Sequence, residues 1–505
     1  MILTKWLRLL GLALCAPALG QFSHSPNVQL LAHLTSAQLG VNGGGNDCWG
    51  YVSPSGREYA VMCTEDATVF VDLTVPTAPQ VVGNIPGPSG IWRDAKVFGE
   101  YCYSVCETNC AGVQVIDLTQ IDSGSINLVN TFNGSGSGHS HNVAIDTTSG
   151  FLYRIGGGTG LRIYDLNADP VNPPYLTTWG DLHVHDAQIV TYTSGPLAGL
   201  QMAVCSTEGG TVTILDVTDK ANITVLSQIA YPNGSISHQG WLSDDLQYYY
   251  HGDEGDETNS GLTTTTYVFD VSNPSAAFLA STYTNGQASI DHNLYTRGDY
   301  IFSANYTSGL RIFDASNPVA PVEVGFFDTY PADNNPAYLG AWSCYPYLPS
   351  GVVLISDRQN GLFVVWFGDT WLGENYCSPA EVNSTGLPGR IRATGSDDIG
   401  TNDVTLTATH LPAGKPGYFI TSQGQGSFMP PGSQGFLCLG GSIGRYNASI
   451  GHGPSISLGI DLSNMPLNPA TSVQAGETWN FQCWYRDDNP GSTSNFTDGV
   501  SITFQ

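Results

Sequence analysis

Apolar and polar residues alternate along most of this chain with a period near two, and the apolar runs are short. Val69-Phe70-Val71-Asp72, Val113-Gln114-Val115-Ile116-Asp117 and Leu161-Arg162-Ile163-Tyr164-Asp165 each end on aspartate. The pattern returns in Val212-Thr213-Ile214-Leu215-Asp216, Tyr267-Val268-Phe269-Asp270 and Leu310-Arg311-Ile312-Phe313-Asp314. A last copy, Leu362-Phe363-Val364-Val365, carries Trp366 in the aspartate's place, and successive end positions lie 44 to 54 residues apart. Runs rich in β-branched and aromatic residues between Gly, Pro and Asn turns predict strands. A repeat of this period fits one four-stranded blade, and seven copies predict a seven-bladed β-propeller.

The aspartates precede turns such as Thr74-Val75-Pro76 and Ser316-Asn317-Pro318, where a carboxylate is expected to accept backbone N–H groups. The seventh copy has no outer strand after it. Asn27 to Leu34 is an unmatched apolar segment near the other end of the chain, and its pairing with Leu362 to Trp366 would close the ring and remove two open edges. From about Gly373 the period is lost. Segments such as Val404 to Ala408, Ile456 to Ile460 and Trp479 to Trp484 alternate between turns and predict a β-sandwich over residues 373–505.

Composition narrows the class of protein. Met1 to Gly20 has Lys5 and Arg8, the apolar run Leu9 to Leu14 and Ala18-Leu19-Gly20, the layout of a cleaved signal peptide over residues 1–20. No other run is long and apolar enough to predict a transmembrane segment. A formal net charge of −27 repels phosphate backbones, which speaks against a nucleic-acid partner and suits cations. The eleven cysteines include Cys15 in the leader, so an even ten remain, and in an exported chain these read as disulfides. Cys48 and Cys63 flank a hairpin centred on Ser55-Gly56 and are expected to bridge it, and Cys438 with Cys483 is the expected pair in the C-terminal part. No Gly-x-Ser-x-Gly elbow marks a serine nucleophile.

Candidate chemistry sits in the hairpins between the aspartate-ended strands. In the fifth repeat His238 opens one strand, Ser243-Asp244-Asp245 turns, and Tyr248 to His251 returns, which would set His238 opposite His251 with Asp253 and Glu254 just beyond. The same geometry elsewhere predicts an inner ring of Asp47, Asp94, His141, His185, His238, His292 and Trp342. A second tier follows of Glu65, Glu107, Glu208, Asp253, Asn305 and Asp357. Innermost strands line a propeller's channel, so these side chains should converge on one mouth. His141, His185, His238 and His292 are the candidate metal ligands. Asp47, Asp94, Glu208, His251, Asp253, Glu254 and Asp291 are the candidates for outer support or alternative ligation. Imidazole with carboxylate suits a divalent Zn, Cu, Fe or Mn, and carboxylate alone suits Ca. A purely structural polar network tying the blades together accounts for the same residues, and both readings stay open.

The repeat strand resembles the LVIVD repeat. The region as a whole resembles the choice-of-anchor B family of exported bacterial proteins, through Asn46-Asp47-Cys48-Trp49-Gly50, Trp92-Arg93-Asp94, Ser140-His141-Asn142 and His185-Asp186-Ala187-Gln188. His238-Gln239-Gly240-Trp241, Asp291-His292-Asn293 and Ser303-Ala304-Asn305-Tyr306 continue the likeness. The C-terminal part, through Gly435 to Gly441 and Asn495 to Gly499, is similar to modules on exported proteins of marine planctomycetes. The resemblance implies export, a cell-surface or extracellular place, and a repeat domain over residues 21–372. It implies no activity, so an unknown ligand or surface partner and a metal-dependent oxidoreductase or hydrolase remain the two alternatives.

Overall fold

The computed structural model describes residues 22–505 apart from Ser135, Thr159, Asp369 and Thr370. The leader predicted over residues 1–20 lies outside the described residues. The chain is nearly all β, and four-stranded antiparallel sheets recur along it in a propeller-like arrangement. The first sheet runs in order through Gly45–Val52, Glu58–Thr64, Ala67–Asp72 and Gln80–Pro86. Equivalent sheets begin at the inner strands Arg93–Phe98, Asn142–Asp146, Val184–Thr191, Ser237–Leu242 and Asn293–Arg297. Burial falls from the inside outward: Glu58–Thr64 is buried at every position, whereas Gln80–Pro86 is mostly exposed. A strand with sheets on both of its faces has no solvent side, which is why the middle strands carry the continuous apolar runs.

The sheet that begins with Ala341–Tyr345 continues through Val352–Asp357 and Gly361–Phe367 and takes its fourth strand from the other end of the chain. Val28–Leu34 pairs antiparallel with Gly361–Phe367, Val28 opposite Phe367 and Leu34 opposite Leu362, as the apolar pattern predicts. Each inner strand neighbours the next, and Ala341–Tyr345 returns to Gly45–Val52. The core is correspondingly divided into wedges between sheets. Cys48, Ala60 and Met62 of the first sheet share one wedge with Leu354, Leu362 and Val364 of the last.

The aspartate corners form as expected. The carboxylates of Asp72, Asp117, Asp165, Asp216, Asp270 and Asp314 each accept the backbone N–H two residues on, at 2.7–3.0 Å. Such a bond preorganises the turn to the outer strand without calling on another sheet.

Beyond Trp371 two sheets share one core. One contains Arg390–Gly395, Val404–Thr409 and Ile456–Ile460; the other contains Pro416–Ser422, Thr478–Asp488 and Ser492–Thr503. Ile391, Leu406 and Ile456 from the first meet Phe419, Trp479, Phe481 and Val500 from the second.

Both expected disulfides are corrected by the structure. The first hairpin turns through Ser53 to Arg57 and centres on Ser55, so Cys48 lies opposite Met62 rather than Cys63. A one-residue change of register moves a side chain to the other face. Cys48 and Cys63 accordingly fall in different wedges, both as buried thiols. Cys438 bonds to Cys377, with Cα atoms 6.4 Å apart, and leaves Cys483 as a buried thiol. Cys106 bonds to Cys110. No helix among the described residues is long and apolar enough to cross a membrane.

Candidate metal centre

The four histidines come from four consecutive sheets. His141 and His292 immediately precede the inner strands Asn142–Asp146 and Asn293–Arg297. His185 and His238 lie within Val184–Thr191 and Ser237–Leu242, at register shifts between Val184 and Asp186 and between Ser237 and Gln239. A bulge re-aims a side chain that regular pleating would send toward a neighbour. The imidazoles stand side by side in an arc, with ring centres 4.3 Å apart from His141 to His185, 4.4 Å to His238 and 4.2 Å to His292. Trp342 continues the arc at 4.7 Å from His292, and Trp92 stands 6.2 Å from His141 at its other end.

Hydrogen bonds set the tautomer of every ring. Nδ1 of His185 donates to the carbonyl of His238 at 3.1 Å, Nδ1 of His238 to the carbonyl of His292 at 3.2 Å, and Nδ1 of His292 to the carbonyl of Trp342 at 2.5 Å. Nδ1 of His141 donates to Glu107 Oε2 at 2.7 Å. Carbonyl and carboxylate oxygens only accept, so each proton sits on Nδ1 and each Nε2 keeps its lone pair. Burial pushes His185 and His238 well below the ordinary imidazole range and His292 down to about 3, with the neighbouring rings adding to the effect. Neutral imidazoles are the form that binds metal.

Donor atoms of His141, His185 and His238 all lie within 4.8 Å of one another, as do those of His238, His292 and Glu254. Two nitrogens on one tetrahedral Zn2+ stand about 3.3 Å apart, so these side chains would draw together on binding. His238 belongs to both sets. Glu254 Oε1 lies 3.5 Å from His292 Nε2 and its Oε2 3.9 Å from His238 Nε2, while Tyr306 donates to Oε1 at 2.7 Å. Burial raises Glu254 to about 7. These histidine and acidic groups are suited to hold a metal.

The remaining candidates divide. Glu107 of the second tier supports His141, and that hydrogen bond, first among several influences, holds its carboxyl below the usual range. Glu208 is exposed and its hydrogen bonds run through its backbone, so it does not support the ring. Asp253 is spent on structure: its carboxylate accepts from Tyr231 and from the backbone N–H groups of Ser235, Ile236 and Gly255. His251 lies opposite Gly240 rather than His238, because the hairpin turn extends through Leu246 in the left-handed region at φ 59°. Its buried ring meets Tyr231 and Ser237 instead. Asp291 belongs to a separate acidic group with Asp256 and Glu257.

Asp47 and Asp94 also leave the predicted ring. They stand one tier further along the inner strands, around Lys96, whose Nζ lies 2.6 Å from Asp94 Oδ1 and 3.9 Å from Asp47 Oδ2. Burial opposes the charge on Lys96, yet Asp94 and Asp47 outweigh it and hold the ammonium above its ordinary range. Asp186 completes this cluster, and burial raises both Asp47 and Asp186 to about 7. Trp49, beneath Lys96 at 4.5 Å, then opens with Trp241, Tyr295 and Tyr345 onto an aromatic cleft of about 420 Å3 toward the far ends of the same strands. Neither Lys96 nor Asp186 was singled out by sequence spacing; the signal available was their places two residues after Asp94 and one after His185.

The segment that carries His292 also bears a likeness to known proteins. Residues 292–329 match the family model of the LVIVD repeat. The LVIVD segment thus begins at a ring histidine and runs through the aspartate-ended strand Leu310–Asp314 and the next outer strand. Comparison of the whole chain with curated proteins gives no match.

Proposed function

We propose that the chain is an exported protein, at the cell surface or released from it. In this reading residues 21–372 form a seven-bladed propeller, residues 373–505 form a β-sandwich module, and His141, His185, His238 and His292 bind a divalent transition metal. The metal shapes a channel mouth that takes a ligand or partner. The observation that carries the metal is the common hydrogen-bond pattern: four Nδ1–H groups are engaged, and burial keeps His185, His238 and His292 neutral with Nε2 lone pairs free for a ligand. Nitrogen donors favour Zn, Cu, Fe or Mn over Ca. The leader-like residues 1–20, the bonds Cys106–Cys110 and Cys377–Cys438, and the likeness to choice-of-anchor B proteins and planctomycete modules support export.

A second reading, a metal-dependent oxidoreductase or hydrolase, draws on Glu254. A carboxyl near pH 7 beside two imidazole Nε2 atoms is matched to proton transfer at neutral pH. Elemental analysis of the freshly purified chain, followed by titration with Zn2+, Cu2+, Fe2+ and Mn2+, tests the metal. One equivalent is expected, lost in His238→Ala. If no metal binds while histidine variants lower stability in metal-free protein, the ring is a structural network and the proposal fails.

A further inference from the structure

A second group of ionisable side chains is separate from the ring in chemistry. After the strand Tyr248–Asp253 the chain makes a short helical turn, Asp256–Ser260, which brings Asp256 and Glu257 beside Asp291. One carboxylate oxygen from each of the three lies within 4.8 Å of the others. All three residues are buried, Asp256 completely and the other two at 4% exposure. Of their six carboxylate oxygens only Asp256 Oδ2 has a hydrogen bond, from Tyr267 at 2.8 Å. The other five, Asp256 Oδ1 and both oxygens of Glu257 and Asp291, are buried without a partner among the described residues.

Five unpartnered carboxylate oxygens in one buried place are costly, since each desolvated acceptor forgoes its bonds to water. Protonation relieves little of this, because a proton shared between two neighbours satisfies two oxygens at most. Burial is the first cause that raises Asp256 to about 6, Glu257 to about 9 and Asp291 well above its ordinary value; repulsion from Asp256 adds to it at Glu257, and from both neighbours at Asp291. Glycine at 252 lets the Asp291 carboxylate lie against the neighbouring strand, since a Cβ there would come within 2.6 Å of Asp291 Oδ2.

We infer that Asp256, Glu257 and Asp291 form a binding site for a hard divalent cation, and that the cation is Ca2+. Oxygen donors alone exclude a preference for soft metals. At Ca–O distances of 2.3–2.6 Å, two oxygens on opposite sides of one ion stand about 4.6–5.2 Å apart, against about 4.2 Å for Mg2+. The oxygens here lie within 4.8 Å of one another, inside what one Ca2+ spans, and a buried all-carboxylate site suits Ca2+ because Mg2+ keeps several of its waters. The bound ion fastens two loops that also serve the ring, because Glu254 lies two residues before Asp256 and His292 directly follows Asp291.

The test uses the full chain, stripped with a chelator and exchanged into metal-free buffer. Calorimetric titration with Ca2+ should find one site, and Tb3+ should bind there with emission sensitised by Tyr267, displaced by Ca2+. Asp291→Asn should raise the Ca2+ dissociation constant at least about tenfold, since ligand charge sets affinity over several decades. His238→Ala should leave Ca2+ binding unchanged, which separates this site from the transition-metal ring. If the wild-type chain shows neither Ca2+ heat nor sensitised Tb3+ emission, the site does not exist. Folded Asp291→Asn that binds Ca2+ as tightly as wild type would overturn the assignment as well. The wild-type Tb3+ measurement decides the matter even where a variant does not fold.

Discussion

At the histidine mouth each imidazole donates a hydrogen bond through Nδ1 and keeps Nε2 for another partner; one tier further along the same inner strands, Lys96 pairs with Asp94 and Asp47, with the charge of Asp186 nearby. Asp94 also accepts the backbone N–H groups of Ala95 and Val143, and Asp186 that of Ala187, so the second tier is hydrogen-bonded within itself and across to the next sheet. Both tiers are buried and both join neighbouring sheets. They differ in what is left over. A tier that uses up its donors and acceptors internally holds sheets together, whereas one that converges spare lone pairs holds something else.

The largest effect should come from acid. His185, His238 and His292 have folded pKa values below the unfolded value of 6.5, so the unfolded chain takes up protons first. The stability they contribute is complete above pH 6.5 and is lost as pH falls from 6.5 toward about 3. Asp47 and Asp186, raised to about 7 from 3.8, slope the other way, with stability lost as pH rises from about 4 to 7. Denaturation midpoints across pH 4.5–8 should therefore show a shallower acid limb in His238→Gln and a shallower neutral limb in Asp186→Asn. Equal slopes in both variants and wild type would erase the distinction between the tiers.

Next in size is Lys96→Met, which leaves buried aspartates without their cation and should cost about 3–5 kcal/mol at pH 7. The loss should shrink at pH 5, where Asp47 and Asp186 carry protons. His238→Ala should cost less in metal-free protein, about 1–3 kcal/mol for one lost hydrogen bond and an unsatisfied carbonyl. Zn2+ at a hundred times its dissociation constant should stabilise wild type by about 2.7 kcal/mol and leave this variant unmoved. The smallest effect belongs to Glu107→Gln. Its partly exposed carboxylate should be worth under about 1 kcal/mol to stability, while metal affinity falls about 10-fold as His141 loses its orienting partner. A larger loss of stability with unchanged affinity would make Glu107 a structural residue alone.

Local rules carried much of this architecture. The aspartate corners need only a carboxylate and the N–H two residues on, and the closing strand needs only an apolar segment without a partner. The histidine arc was legible because each member stands at the start of the innermost strand of its own repeat. What failed was register. Hairpins centred by arithmetic put Cys48 opposite Cys63 and His238 opposite His251, but the first turn is odd in length and the second is extended by Leu246. Side-chain direction flips with each residue, so errors of one residue also misplaced Asp47 and Asp94. Spacing could not gather Asp256 and Glu257 with Asp291, because Asp291 enters from the next sheet.

The pairing of Val28–Leu34 with Gly361–Phe367 also bears on how the protein comes to exist. More than three hundred residues separate the two partners, so the first strand made waits for the last sheet. At about 5–20 residues per second, synthesis of that interval takes on the order of 15–60 s. Throughout it the nascent chain carries an apolar strand with both edges open, beside sheets already able to form. Closure of the ring is therefore gated by the emergence of Gly361–Phe367, and Val28–Leu34 is where a holding chaperone would have a long opportunity to act.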